Sequence, residues 1–391
     1  MTTLKMPLAT IAGCVCSCAV YMTLAPVNAK SPAPLQTHLI HIDGVEPFAP
    51  AVVVAGSAHE RGVAYGKEYR TAIHDFLDQE IYKPFVDHPS SKEDILKYAA
   101  DCAKVAREVC PMVVAECEGM AEGAGISFDE VVLIHLHEEL YHRGKLPYDG
   151  HCTAVAVPPS DTGDGHTYVG QTWDWMTRLG GKSAVTEWKR SDAPSVLGYG
   201  YPGMPFGAGM NSNGIALCWT SADLGTGESP RVGVPSYMLI NHLLAQPDVA
   251  SVVREAKRDK HAGWFTFVIA DGEGNLVNVE GSPKGVAIEQ PTDRLARAYY
   301  GTRQMTAASP KSSGKLHPRC AQMYKLLEQS AGKNDRKTLE SYFLSPSDGI
   351  LSWKSASNKS IDIMIYDTTS RKAYLTRGPE FQVEWREFTF K

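Results

Sequence analysis

The hydrophobic pattern of the chain changes its period at residue 152, and this change limits the folds that are possible. Before that point apolar residues recur at helical spacing, which predicts helices over 65–82, 92–110 and 112–124. After it, short runs rich in β-branched and aromatic residues alternate with turn residues, which predicts strands. This order favours an α+β chain in which two antiparallel sheets pack face to face with helices outside.

The first strand after the change begins at Cys152 and continues through an apolar run to Val157. A loop rich in proline and glycine follows, and residues 167–175 then predict a second strand, so that the two form a hairpin. Asp174 stands near the far end of this second strand. A thiol at the start of one strand and an acid at the end of the next are the first candidates for chemistry.

The first 29 residues have the composition of a secretory signal peptide. A charged start is followed by an apolar stretch, and the small residues at 27–29 fit a cleavage site before Lys30. We therefore expect a secreted or periplasmic protein, with no membrane span left after cleavage. Two alternatives stay open, namely an uncleaved membrane anchor and a bacterial lipoprotein signal around Cys14.

Charge and composition argue against several classes of partner. The net charge of -5 predicts no electrostatic affinity for nucleic acid or anionic membranes. Three of the nine cysteines lie in the leader, and the six that remain are too few for a disulfide scaffold. His135 and His137 lack the i, i+4 spacing of helical zinc sites, which argues against a metal site. Together with the neighbouring acids they favour a polar wall near Cys152. We expect no metal and no cofactor.

From the local residues alone, Cys152 has two interpretations. A buried cysteine that opens a strand is usually a core residue. A thiol there can also attack the preceding carbonyl, that of His151, shift the acyl group from nitrogen to sulfur and let water release the ester. The cut frees an α-amino group on Cys152 with a pKa of roughly 7.7–8.0, which suits a general base. One residue would then supply both nucleophile and base.

Four short motifs resemble a known family; they are 56–62 with 65–66, 118–125, 152–153 and 170–175. On these motifs the chain, from about Val52 onward, resembles the acyl-coenzyme A:isopenicillin N (6-aminopenicillanic acid) acyltransferase-like family of self-processing N-terminal-nucleophile hydrolases. The resemblance implies a four-layer αββα sandwich. It also implies self-cleavage between His151 and Cys152 into chains 30–151 and 152–391, and amide chemistry through an acyl-thioester.

The resemblance further implies roles for individual residues. Cys152 matches the nucleophile, and Asp174 matches an acid that orients and stabilises the new terminal ammonium. Thr266 stands where an asparagine is expected as the oxyanion donor, and Arg319 is a candidate for a late arginine that the family uses. His151 departs from the glycine that usually precedes the cut.

Trp173, Trp175 and Tyr148 lie near the nucleophile and are candidates for an apolar acyl pocket, although aromatic residues beside a strand are more often core. The expected function is a secreted amidohydrolase or N-acyltransferase that takes a small-molecule amide, with its two cleaved chains associated. Export favours hydrolysis, because acyl-coenzyme A is scarce outside the cytoplasm. The alternatives are a catalytically silent binding protein that keeps the fold and a cysteine hydrolase that is not self-cleaved.

Overall fold

The computed structural model describes most of the chain after residue 45, namely residues 46–86, 90–144, 152–222, 229–298, 317–345, 347–350, 358–378 and 384–391. These residues all belong to a single unit that spans 39–391. The predicted leader at 1–29, the predicted pocket residue Tyr148 and the predicted cut-site residue His151 lie outside the described residues.

Helices fill most of the described chain before Cys152; they are α1 (Ala58–Glu68), α2 (Arg70–Phe76), a π-helical segment (Leu77–Tyr82), α3 (Lys83–Phe85), α4 (Lys92–Val109), α5 (Pro111–Ala124), α6 (Phe128–His135) and α7 (His137–Gly144). Ser57 and Glu60 exchange hydrogen bonds in a capping box at the start of α1. Gly125, with φ at 74°, ends α5 in the left-handed conformation. None of the helices in the described ranges has both the length and the apolar composition that a membrane crossing needs.

Helices α1 and α5 cross with their backbones in contact, because glycines stand at the crossing point. A Cβ atom at Gly62 would lie 2.0 Å from the carbonyl oxygen of Glu116, and one at Gly119 would lie 2.0 Å from that of His59. The glycines one turn further along both helices leave gaps almost as narrow. The glycines of the motifs at 56–66 and 118–125 therefore allow this close crossing.

The strands are β1 (Val52–Val54), β2 (Thr153–Val157), β3 (Tyr168–Met176), β4 (Ala184–Trp188), β5 (Val196–Tyr201), β6 (Met204–Asn211), β7 (Ala216–Thr220), β8 (Phe265–Ala270), β9 (Leu276–Ser282), β10 (Gly285–Glu289), β11 (Leu295–Ala298), β12 (Asn358–Asp367), β13 (Lys372–Arg377) and β14 (Arg386–Thr389). The larger sheet has the order β1-β4-β5-β6-β7-β8-β9-β10, and the smaller sheet has the order β11-β2-β3-β12-β13-β14. Neighbouring strands in both orders are antiparallel except β1 and β4, which run parallel.

The two sheets face each other, with β2 and β3 of the smaller sheet packed against β7 and β8 of the larger one. Helices α8 (Ser236–Leu244) and α9 (Val249–Ala256) contact the larger sheet. Helices α10 (Pro318–Gln329) and α11 (Arg336–Leu344) contact the smaller sheet. These layers confirm the predicted α+β class, a sandwich of two mainly antiparallel sheets flanked by helices.

Two strands of the structure, β10 and β11, are not predicted from the sequence. Both are short: β10 is only partly buried, and Arg297 interrupts the apolar residues of β11, so neither shows a clear period of two. They form because β9 and β2 each present a row of unpaired backbone groups at a sheet edge. Strand β11 pairs along β2 and so covers the edge of the strand that follows Cys152.

Substituting Gly119 by alanine tests the close crossing of α1 and α5. The added methyl group collides with the carbonyl of His59 and pushes the helices apart, so we expect the free energy of unfolding to fall by about 1–3 kcal/mol. This loss opposes the gain of about 1 kcal/mol that alanine brings to an isolated helix. Urea denaturation of both proteins measures the difference.

Gly163→Ala is the matched control, because a Cβ atom at Gly163 meets nothing closer than 3.7 Å. Equal losses of stability in the Gly119→Ala and Gly163→Ala variants would contradict this account of the helix crossing.

Candidate active site

Cys152 stands directly before β2 and is held against β3. Pairing of Thr153 with Thr172 sets the register of these strands, and the backbone N–H of Thr153 donates to Oγ1 of Thr172 over 3.1 Å. The backbone N–H of Asp174 donates to Sγ of Cys152 over 3.4 Å. Only 6% of Cys152 is exposed. The structure therefore brings the predicted nucleophile and the predicted acid together.

The carboxyl group of Asp174 is buried and is held by two side chains from other elements. Ser360 of β12 donates to Oδ1 over 2.5 Å, and the guanidinium of Arg319, near the start of α10, donates to Oδ2. Arg319 also donates to the carbonyl oxygen of Ile350 over 3.4 Å. Burial raises the pKa of Asp174, while Arg319 and Ser360 act in the opposite direction. The structure thus brings Arg319, the candidate late arginine, into direct contact with the predicted acid.

The surroundings of Cys152 keep its sulfur neutral in the intact chain. Burial raises the pKa of the thiol well above its ordinary value, and the negative charge of Asp174 raises it further. The backbone N–H of Asp174 and the positive charge of Arg319 lower it, but by less. Because the thiolate is the reactive form, attack on a carbonyl requires a base that takes the thiol proton.

A salt bridge between the sheets identifies the side chains that face the space between them. Nε of Arg297 on β11 lies 3.5 Å from Oε1 of Glu280 on β9, so both side chains reach across this space. Arg297 pairs with Ala154 of β2, and directly paired residues share one face of a sheet. Cys152 stands two residues before Ala154, so the alternation of side chains places its thiol on the same inward face.

Thr266, the predicted oxyanion donor, also faces this space. It pairs with Glu280 on one side and with Thr220 on the other, so the three side chains share the inward face of the larger sheet. Thr266 is 1% exposed and Thr220 is 0% exposed. Both hydroxyl groups lack a hydrogen-bond partner among the described residues. Thr220 is absent from the sequence predictions, because only strand pairing identifies it.

Trp173 and Trp175, the described candidates for the acyl pocket, are packed between the sheets. They are 3% and 2% exposed, and their indole N–H groups have no partner in the described part of the chain. The ring of Trp173 lies 5.2 Å from that of Tyr199, and the ring of Trp175 lies 4.7 Å from that of Tyr201. Two cavities of about 420 and 270 Å³ lie around Lys182, and Cys152 lines neither of them.

Helix α7 contains two buried acids, Glu138 and Glu139. Glu139 accepts hydrogen bonds from the backbone N–H of Ser236 over 2.9 Å and from its hydroxyl over 2.7 Å, at the start of α8. Burial raises the pKa of Glu139 to about 7 despite these hydrogen bonds. Glu138 is 1% exposed, and its negative charge contributes to the raised pKa of Cys152. The polar wall that the sequence predicts therefore lies within electrostatic range of the thiol.

A family comparison covers most of this site. The family described as acyl-coenzyme A:6-aminopenicillanic acid acyl-transferase matches residues 161–380, which is more than half of the chain. The chain belongs to this acyltransferase family. The match includes Asp174, Thr266 and Arg319, and it begins after Cys152. Membership of the acyltransferase family supports an enzyme that acts on C–N bonds of amides.

Solved structures of two enzymes are distantly similar to this member of the acyltransferase family. A mutant conjugated bile acid hydrolase from Clostridium perfringens is 11% identical and has a TM-score of 0.41, over 61% of this chain and 97% of that one. Penicillin V acylase from Agrobacterium tumefaciens is 11% identical and has a TM-score of 0.39, over 57% and 82% of the two chains. Likeness this distant carries no argument about substrate or mechanism.

Glu139→Gln tests the buried carboxyl group of α7. Its pKa in the folded chain, about 7, lies above the ordinary 4.5, so the folded chain binds this proton more tightly than the unfolded chain does. The resulting stabilisation is fully present below pH 4.5 and is lost as the pH rises through 7. At about 1.4 kcal/mol for each pKa unit, the loss is roughly 3 kcal/mol.

Glutamine keeps the oxygen that accepts from Ser236 but has no proton to lose. We therefore expect the unfolding free energy of Glu139→Gln, from urea titrations between about pH 4.5 and pH 8, to change less than that of the wild type. Glu122→Gln, whose side chain is 64% exposed, is the control and should follow the wild type. Parallel pH profiles for Glu139→Gln and wild type would show that Glu139 has an ordinary pKa.

Proposed function

We propose that this protein is a secreted, self-processing cysteine amidohydrolase or N-acyltransferase that takes an acyl group from a small-molecule amide onto Cys152 as a thioester. The observation that carries the proposal is the contact of the Cys152 thiol with Asp174, whose carboxylate is held by Arg319 and Ser360. Membership of the acyltransferase family supports the amide chemistry. Hydrolysis is favoured over transfer if the chain is exported, because acyl-coenzyme A is scarce outside the cytoplasm.

Maturation in this proposal begins with attack by Sγ of Cys152 on the carbonyl carbon of His151. The C–S bond forms as the peptide C–N bond breaks, and the nitrogen takes a proton to become the free α-amino group of Cys152. Water then hydrolyses the thioester, which leaves a carboxylate on His151 and restores the thiol. The products are chains 30–151 and 152–391, and neither an oxidant nor a cofactor is required.

Turnover then uses the new α-amino group as the base that the buried thiol needs. The amine takes the thiol proton, the thiolate attacks the carbonyl carbon of the substrate amide, and the ammonium returns a proton to the departing amine. Water, or a second amine in the transferase reaction, releases the acyl group from sulfur. We assign Asp174 to orient and stabilise the ammonium, and Thr266 to donate a hydrogen bond to the carbonyl oxygen that becomes negative.

The contacts across residue 152 support continued association of the two chains after a cut. Glu116 of α5 is buried and accepts hydrogen bonds from Arg61 of α1 on one side of the cut and from Arg190, which follows β4, on the other. Glu139 of α7 similarly accepts from Ser236 of α8. Removing one partner of such a buried pair is costly, typically about 3–5 kcal/mol, so the cleaved chains should stay together.

We assign Trp173, Trp175 and the sequence-based candidate Tyr148 to the acyl pocket of this proposal. Trp173 and Trp175 supply large apolar surfaces on the inward face that Cys152 shares. Indole rings suit an apolar or aromatic acyl group. The acyl group and the amine are best found by assaying a panel of acylated amines and acylated amino acids with the matured protein.

Cys152→Ala tests self-processing. The purified wild-type protein is expected to give two bands on a denaturing gel, and N-terminal sequencing of the larger chain is expected to start at Cys152-Thr153-Ala154. Cys152→Ala lacks the nucleophile for the shift, so we expect one intact band and no amide cleavage.

Cys110→Ala is the matched control, because Cys110 is also buried but lies between α4 and α5. Its Sγ donates a hydrogen bond to the carbonyl oxygen of Ala106. This variant should be cut as the wild type is. An intact wild-type chain, or a Cys152→Ala chain cut at the same bond, would contradict the self-processing mechanism. An intact wild type with amide-cleaving activity would favour a cysteine hydrolase that is not self-cleaved, and an inactive one would favour the binding protein.

A further inference from the structure

The side-chain amide of Gln171 on β3 is buried, and only one of its two polar atoms has a hydrogen-bond partner among the described residues. The residue is 0% exposed. Its Oε1 accepts the backbone N–H of Trp219 on β7 over 2.6 Å, whereas its Nε2 has no hydrogen-bond partner among the described residues. A buried donor without a partner costs about 1–3 kcal/mol. The unpartnered N–H group of Gln171 therefore lowers the stability of the folded chain, and no contact among the described residues requires it.

The orientation of this amide is fixed by its partner. A backbone N–H only donates, so the atom of the Gln171 amide that faces Trp219 must be the oxygen. The nitrogen is consequently turned away from Trp219 and cannot exchange places with the oxygen without losing that hydrogen bond. The Gln171 amide is thus a donor with a set direction before any substrate arrives.

The strand register places Gln171 on the same face as the nucleophile. Gln171 pairs directly with Ala154, which lies on the inward face of β2 two residues after Cys152. Its contact with Trp219 shows independently that the side chain crosses from the smaller sheet to the larger one. The unpartnered hydroxyls of Thr220 and Thr266 face the same space from the larger sheet.

We propose that Nε2 of Gln171 donates a hydrogen bond to the carbonyl oxygen of the acyl group while that oxygen carries negative charge during the reaction at Cys152. This inference rests on the proposed function. As the C–S bond forms, the electron pair of the C=O bond moves to oxygen, and the N–H of Gln171 stabilises the resulting charge. The pair returns when the amine leaves, so Gln171 neither gains nor loses a proton.

Gln171 suits this task better than Thr266 alone. A threonine hydroxyl rotates and can accept as well as donate, whereas the amide nitrogen of Gln171 only donates and has a direction fixed by the hydrogen bond to Trp219. Pre-aligned donors stabilise a developing charge without the cost of reorganising at the moment of reaction. Gln171 is accordingly assigned as the principal donor, and Thr266 as a weaker second one.

The test compares matured wild type, Gln171→Met, Thr266→Val and the control Gln246→Met. Gln246 is half-buried and its Nε2 donates to the carbonyl oxygen of His242 over 2.9 Å, away from Cys152. The acyl donors are the p-nitroanilides of butyric and phenylacetic acid and the activated ester p-nitrophenyl butyrate. Mass spectrometry of the intact 152–391 chain after rapid quenching measures the rate at which the thioester forms.

We expect Gln171→Met to be cut into two chains but to form the thioester about 10²–10³-fold more slowly than the wild type. The rate of thioester formation should fall less in Thr266→Val, and in Gln246→Met it should equal that of the wild type. Gln171→Glu adds a second test, because its carboxyl oxygen still accepts from Trp219 but it donates only when protonated. Its rate relative to the wild type should therefore rise as the pH falls.

Several results would overturn the inference. Equal rates of thioester formation in Gln171→Met and wild type would show that the amide plays no part in the reaction. A folded Gln171→Met chain that stays uncut would place the amide in maturation instead. If Gln171→Met does not fold, the test falls to Gln171→Glu. The donor role is refuted if its rate of thioester formation stays at the same fraction of the wild-type rate at every pH. A cut wild type that takes no acyl group from these donors or from the panel of acylated amines and amino acids overturns the proposed function, and this inference with it.

Discussion

The antiparallel pairing of β2 with β3 is the constraint on which the candidate site depends. Once Thr153 lies opposite Thr172, Cys152 falls beside the backbone of Asp174 and Gln171 falls opposite Ala154. A shift of one residue would turn these side chains to the other face of the sheet. The strands on either side, β11 and β12, leave β2 and β3 no free edge and so fix this register.

The two faces of this hairpin lie in different surroundings. Asp174 points outward, where Arg319 of α10 and Ser360 of β12 hold its carboxylate away from water. Cys152 and Gln171 point inward, into a layer of tryptophan and tyrosine rings between the sheets. The carboxyl group of Asp174 is thus placed close to Cys152 without standing in the apolar layer between the sheets. The alternation of side chains along a strand is the simple geometric reason.

Much of the fold can be predicted from the sequence, because it depends on local signals. Capping serines such as Ser57, the glycine that ends α5 and the change of period at residue 152 each act over a few residues. The short edge strand β11 cannot be predicted from its own residues, since it forms by pairing with the free edge of β2. Arg319 is a candidate only through family resemblance, whereas Asp174 is also indicated by its place near the end of β3. Their contact spans 145 residues of the chain.

The sequence by itself determined the helices, most of the strands, the class of fold and the cysteine at the change of pattern, because each is encoded by residues close together in the chain. The tertiary structure alone decided that Arg319 holds Asp174, that Thr220 and Thr266 face the space between the sheets, and that the amide nitrogen of Gln171 has a fixed direction and no partner among the described residues. These relations depend on strand register and on the packing of one sheet against the other. Side chains that far apart in sequence meet only after the two sheets have closed on a common layer.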